Sequence, residues 1–228
     1  MNAEQEKFNQ PPGHVIETIL NHVPFDGWSR SSLDMAAVDC GLSKAEMQGL
    51  FPGGVPDAIA AYIAYSDQNM ITAFCNQEAE EIAAMPVHMK IRSLILIRLE
   101  QAATCKEVVR RTLATLARPQ HAKLATQLLY TTVDEMWRAA GDTSTDYNFY
   151  TKRATLSAVY SATLLAFLSD NSPDLAKTEA FLDRRLADVA WLPKIARPAK
   201  GMANTAMQFA GRAAGRFAGA IVRGRRAR

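Results

Sequence analysis

Alternating β-branched runs are almost missing from this chain, and that restricts its fold more than any other feature. Ala, Leu, Met, Gln and Arg dominate instead, with apolar residues recurring at three- and four-residue spacing. Without strands to build a sheet, the chain is confined to an all-α architecture. At 228 residues and 48% hydrophobic content it has material for one substantial core, or one core with a small appendage.

The periodicity predicts helices over about 13–22, 32–39, 43–49, 56–74, 86–100, 104–116, 123–140, 146–168 and 174–189, with a last pattern over 202–222. PFDGW reads as a turn after the first. In VDCGLS, Gly41 stands where one helix stops and Ser43 where the next is capped. Pro56 and Pro86 open helices, Pro119 marks a break, and Pro193 and Pro198 bracket a linker. The resulting division is a three- to four-helix unit over 13–75, a larger bundle over 76–190, a Pro-containing linker over 191–200 and a basic tail over 201–228.

The net charge of +3 conceals an asymmetry. From Arg197 onward there are eight basic residues and no acidic one, which leaves a net charge of −5 on the first 196 residues. On a helical wheel Met202, Ala206, Phe209, Ala213, Phe217 and Ile221 share one face, while Arg212, Arg216 and Arg223 share the other. Arginines can reach lipid headgroups while phenylalanines enter the apolar boundary. The expected membrane contacts are therefore Phe209, Arg212, Arg216, Phe217, Ile221 and Arg223. The alanine-rich apolar face implies reversible binding. A helix docked on the parent domain and an unstructured tail are the alternatives. No run of eighteen apolar residues occurs, and the polar, acidic N-terminus resembles neither a signal nor a transit peptide.

Catalytic and metal chemistry find little to stand on. Cys40, Cys75 and Cys105 are widely spaced and odd in number, and no H-x-x-x-H or E-x-x-H pair occurs, so no metal site is expected. No catalytic residue is assigned. SSLDMAAVDCGLSKAEMQGLFPGG has the rhythm of a helix-turn-helix, but its second helix offers one cation, Lys44, opposed by Glu46. A DNA reader needs several cations for phosphates and side chains for base edges. The pattern serves equally well as a plain packing unit.

The stretch AGDTSTDYNFYTKR, ending at Arg153, crowds carboxylates, hydroxyls, aromatics and cations between two long helices. It admits three readings. Gly141 with Thr143 and Asp146 can cap the flanking helices; Asp142 and Asp146 are spaced for chemistry but lack a third group; Tyr147, Phe149 and Tyr150 suit a recognition surface.

That stretch and its continuation, through SPD and FLDRR, closely resemble the Coq-nine family of ubiquinone-biosynthesis accessory lipid-binding proteins. KIRSLILIRLE and LFPGG resemble upstream segments of the same family, and the likeness covers most of residues 13 to 190. The resemblance implies an all-α, distantly TetR-like bundle of about nine helices with a small N-terminal helix-turn-helix unit, plus a C-terminal amphipathic helix. It also implies a non-catalytic role without a cofactor: binding an isoprenoid or ubiquinone-precursor lipid and presenting it to the demethoxyubiquinone hydroxylase at a membrane phospholipid surface. Homodimers are implied too. The missing transit-peptide pattern points to the cytoplasmic face of a bacterial inner membrane, with the mitochondrial matrix side as the location in a eukaryote, and the acidic body gives no reason to expect nucleic acid as a partner. Carried onto this chain, the partner patch centres on Asp142, Ser144, Asp146, Tyr147, Phe149 and Tyr150. Phe149 stands where the family often has Trp, which keeps aromatic area and loses a donor.

Candidate pocket residues are Leu156, Val159, Tyr160, Leu164 and Phe167 facing Leu94, Ile95, Leu128 and Leu129, each equally suited to plain core. A buried Tyr160 hydroxyl would need a partner, and a quinone oxygen could serve. A ligand-responsive DNA-binding regulator and an enzyme acting on a small hydrophobic substrate are the competing functions. With one cation on its second helix, the protein lacking residues 199–228 is expected to show no salt-dependent binding to duplex DNA in a fluorescence-anisotropy titration.

Overall fold

Capping boxes set the start of two short N-terminal helices in the computed structural model, which describes residues 11–142 and 147–190. Ser29 and Ser32 exchange hydrogen bonds at the head of α2 (Arg30–Asp39), and Ser43 and Glu46 do so at the head of α3 (Lys44–Leu50). Between them Gly41 takes a φ of +67°, the left-handed conformation that ends α2 and lets the chain turn. Before them, α1 runs Gly13–Asp26.

That first helix is longer than its sequence pattern predicts. The backbone stays helical through Pro24 to Asp26, and Gly27 then stops it. A proline inside a helix removes a donor and crowds the preceding turn. Burial of Val15, Ile16, Ile19 and Val23 holds this helix regardless, and Arg111 donates to the carbonyl of Pro24 at its C-terminal end.

The remaining elements are α4 (Val55–Cys75), α5 (Ala79–Ala84), α6 (Val87–Ala102), α7 (Lys106–Leu116), α8 (Ala122–Ala139), α9 (Tyr147–Ser169) and α10 (Ala176–Ala190). Short 3₁₀ turns at Ala103–Cys105, Pro119–His121 and Pro173–Leu175 precede α7, α8 and α10. All the regular structure among the described residues is helical, as the missing strand signals require. Helix α5 has no counterpart in the apolar pattern, because none of its six residues is buried.

The chain divides into two compact units, Met1–Ala187 and Asp188–Arg228. Of the second, only the last turn of α10 lies among the described residues; the linker over 191–200 and the tail over 201–228 lie outside them. Within the first unit α1 packs on α2, α4 and α7, and α2 packs on α3. Helix α4 then meets α6 and α8, and α9 closes against α6, α7 and α8. Leu33 and Ala36 of α2, Met47 of α3 and Ala58, Ile59 and Tyr62 of α4 share one core with Val108 and Leu116 of α7. Residues 13–75 therefore pack as a continuous part of this unit. Trp28 sits where they meet, its Nε1 donating to Thr112 Oγ1 at 2.8 Å.

Helix α10 is tied on by polar groups. Arg92 of α6 reaches both Glu179 and Asp183. Upstream, the buried Asp170 carboxylate accepts from the amide and hydroxyl of Ser172 and of Thr178, at 2.5 to 2.7 Å. This holds a turn in which Asp174 and Leu175 both adopt positive φ, +50° and +57°, a region where side-chain-bearing residues are strained.

The hydrogen bonds from Ser172 and Thr178 hold the Asp170 carboxyl well below the usual carboxylate range. A lowered native pKa stabilises the fold wherever the group is ionised in the unfolded chain, above about pH 4, and the benefit is lost as pH falls through the native value. Asp170→Ala is thus expected to cost about 1 to 2 kcal/mol at pH 7. The gap to wild type should narrow in denaturant melts as the pH is lowered from 4 toward 2.

Candidate functional site

Five helices enclose a cavity of about 400 Å³. Helix α4 contributes Tyr62 and Ile63, and α6 contributes Arg98, Leu99 and Ala102. Helix α7 adds Val109, Thr112, Leu113 and Leu116; α8 adds Ala125, Leu128, Leu129 and Thr132; α9 adds Tyr160, Ser161, Leu164 and Leu165. Leu128 and Leu129 of α8 and Leu164 and Leu165 of α9 are not fully buried, so these helices leave leucine side chains facing the cavity. Leu165, 64% exposed, and Ala117 stand at the mouth, while Tyr62, Arg98, Thr132 and Tyr160 are buried at the inner end.

At that inner end lies a charged pair. Arg98 Nε is 3.2 Å from Asp67 Oδ1, with side-chain exposures of 10% and 5%. Thr132 donates to Asp67 Oδ2 at 2.7 Å, so α4, α6 and α8 meet through one carboxylate. The match is incomplete. Neither Arg98 Nε nor Asp67 Oδ1 has an aligned hydrogen bond, and their attraction is Coulombic at contact distance. Burial raises the Asp67 carboxyl above its ordinary value, against the opposing charge of Arg98. Burial likewise pushes the Tyr62 phenol up to about 12 and raises that of Tyr160, whose hydroxyl is within hydrogen-bonding reach of Arg98. Both tyrosines are therefore neutral hydroxyl groups at the cavity wall.

The sequence-derived pocket candidates separate into two groups. Leu128, Leu129, Tyr160 and Leu164 line the cavity; Leu94, Ile95, Leu156, Val159 and Phe167 are buried behind it as core. Tyr62, Asp67, Arg98, Thr112 and Thr132 were not anticipated. A signal for two of them was present. Arg98 falls three and four residues after Ile95 and Leu94 on the buried stripe of α6, and Asp67 falls four after Ile63 and three before Met70 on α4. A charge on a core stripe needs a buried partner, and each of these is the other's.

The second site residue set lies at the junction of α8 and α9. Gly141, at φ +86°, ends α8 as its position suggests. The Asp142 carboxylate faces inward, only 6% exposed, and ties α8 to α9 by accepting from Lys152 Nζ at 2.7 Å and Arg153 Nη1 at 3.4 Å. Arg153, 3% exposed, also reaches Asp134 at 2.5 Å and lies 3.3 Å from the centre of the Phe149 ring. Phe149 packs edge-on against Tyr150, which is 68% exposed. Tyr147 opens α9, while Ser144, Asp146 and the expected Thr143–Asp146 cap lie outside the described residues. So do the tail residues Phe209, Arg212, Arg216, Phe217, Ile221 and Arg223.

Other chemistries have few footholds. Cys40, Cys75 and Cys105 are all free thiols. Among the described residues no group of three or more His, Cys, Asp or Glu could hold a metal ion, and no helix is long and apolar enough to cross a membrane. On α3 the Lys44 side chain is 80% exposed and lies 3.8 Å from Asp34.

The COQ9 family model matches residues 122–193. The chain is 28% identical over 210 residues to the mitochondrial ubiquinone biosynthesis protein COQ9 of Drosophila melanogaster, covering 90% of this chain and 63% of that protein. Its likeness to the COQ9 proteins of Rattus norvegicus and Homo sapiens is also 28%, over 211 residues, with 90% of this chain and 67% and 65% of theirs covered. The chain thus spans about two thirds of the length of the curated relatives it matches. In three dimensions it is similar to a TetR transcriptional regulator from Nitrosomonas europaea, with a TM-score of 0.64 and 22% identity over 78% of this chain and 97% of that one.

Because the buried Arg153 bridges Asp134 and Asp142, each of which keeps a second cation in Arg138 or Lys152, Arg153→Met is expected to destabilise the fold by about 1 to 3 kcal/mol. Tyr150→Ala, which removes an exposed ring, should change stability by less than about 0.5 kcal/mol. Chemical denaturation of both variants checks the contrast.

Proposed function

We propose that this chain is a member of the COQ9 family, to which its similarity points, and a non-catalytic accessory protein of ubiquinone biosynthesis whose five-helix cavity holds an isoprenoid quinone precursor. The observation that carries the reading is the cavity itself: about 400 Å³, walled by leucines, valine and alanine, with a few hydroxyls and one guanidinium. That composition suits a ligand that is mostly hydrocarbon with a small oxygenated group.

The physical need is plain. A polyprenyl chain gains about 0.8 kcal/mol for each CH₂ it removes from water, so it leaves a bilayer only for another apolar site. A protein that offers such a site lowers the barrier to handing the lipid over without performing any chemistry. The chemistry would belong to the partner, the demethoxyubiquinone hydroxylase.

Contact with that partner is assigned to the α8–α9 junction, where Tyr150 offers an exposed aromatic surface on a backbone braced by Asp142 and Arg153. Aromatic side chains on a rigid support are what protein interfaces use as anchors. Attachment to the phospholipid surface is assigned to the basic tail, through Phe209, Arg212, Arg216, Phe217, Ile221 and Arg223. A homodimer belongs to the same reading. So does a location where ubiquinone is made: the relatives' names place them in mitochondria, and in a bacterium the corresponding place is the cytoplasmic face of the inner membrane.

Mass spectrometry of lipids co-purified with the full chain and with a form lacking residues 199–228 tests this function. An isoprenoid quinone precursor is expected with both forms. Its absence from both would remove the lipid role and leave a protein-interaction adaptor.

A further inference from the structure

The cavity has two unlike ends, and the difference bears on which way round a ligand sits. At the mouth stand Leu165, 64% exposed, and Ala117. At the inner end stand the buried Arg98, Tyr62 and Tyr160, with Thr132 beside them. About 400 Å³ lies near the lower limit of the roughly 300–1,000 Å³ usual for ligand sites, so a long polyprenyl chain cannot enter whole. One end goes in and the rest leaves through the mouth.

We propose that the oxygenated ring enters first, with a neutral ring oxygen taken by the Arg98 guanidinium and the Tyr160 hydroxyl, and that the hydrocarbon chain runs outward past Leu164 and Leu165. This rests on the lipid-binding reading above and adds to it the orientation and the recognising group.

Three observations carry it. Arg98 lines the cavity, is 8% exposed, and its Nε has no aligned acceptor, while a guanidinium carries five donors in a fixed fork. With Nε set against Asp67 out of alignment, the pair leaves the fork short of acceptors, and an oxygen entering the cavity can take one of its donors. Asp67, 3.2 Å from Arg98, already balances its charge, so an anionic headgroup would bring an uncompensated charge into an apolar space, whereas a phenol or quinone oxygen would not. Finally, the two exposed residues of the lining, Leu165 and Ala117, are apolar, so a polar ring placed beside them would gain no hydrogen bond from their side chains.

The test uses the full chain and two probes of equal shape, 2-farnesylphenol and farnesylbenzene, titrated by isothermal calorimetry. Wild type is expected to bind the phenol on the order of 10- to 100-fold more tightly, the range for a hydrogen bond from a charged donor. Arg98→Met combined with Asp67→Asn, which removes both charges together, should lose most of the preference, and Tyr160→Phe should lose the smaller remaining part. A phenol carrying a bulky group at the far end of its chain should still bind.

Equal binding of the two probes to wild type overturns this inference while leaving the lipid-binding reading intact. Binding of neither probe overturns both. A preference undiminished in the double variant removes Arg98 from recognition, and loss of binding when the chain end is capped overturns the orientation. Should the double variant not fold, by circular dichroism, Arg98→Lys takes its place, and a weakened preference is the expected result.

Discussion

A half-matched ion pair in the middle of an apolar bundle sets the terms for the rest of this molecule. Arg98 and Asp67 take α6 and α4 into contact at 3.2 Å, and Thr132 brings α8 onto the same carboxylate. Placing two charges where water is scarce costs several kcal/mol per ion unless their partners are well aligned, and a hydrophobic trio would hold three helices together at less cost. Here the alignment is imperfect at one atom of each partner. The bundle is therefore assembled around groups that remain able to bond something more, and the cavity lies beside them.

Much of the fold was legible because its signals are local. Gly41, Ser43 and Gly141 occupy the capping positions their residue types imply, and the stripe of Ile91, Leu94, Ile95 and Leu99 is buried as its spacing requires. The boundaries that failed had non-local causes. The sequence of α1 says stop at Pro24, but core burial and an arginine 87 residues away support the extra turn. Helix α5 buries nothing, and without an apolar stripe it left no pattern to read.

The site was less legible. Leu128 and Leu94 look alike in sequence, yet one lines a cavity and the other fills the core behind it. A void is a property of packing between helices, and no residue records it. The charges were the better clue, since Arg98 and Asp67 each break an apolar stripe and such breaks are tolerated only in pairs. At the α8–α9 junction the sequence marked a segment dense in polar and aromatic groups without showing which way they point. Asp142 turned inward to Lys152 and Arg153, and Tyr150 turned out.

Trp28 carries a consequence of a different kind. Its indole nitrogen donates to Thr112, and Thr112 is itself part of the cavity wall. Indole emission responds to hydrogen bonding and to the polarity around the ring, and this ring is 8% exposed beside Tyr62, another wall residue, at 5.9 Å between centroids. The protein thus contains its own optical gauge. A ligand that fills the cavity alters the surroundings of a fluorophore one hydrogen bond away, so its arrival and departure can be followed by light emission, without attaching a dye.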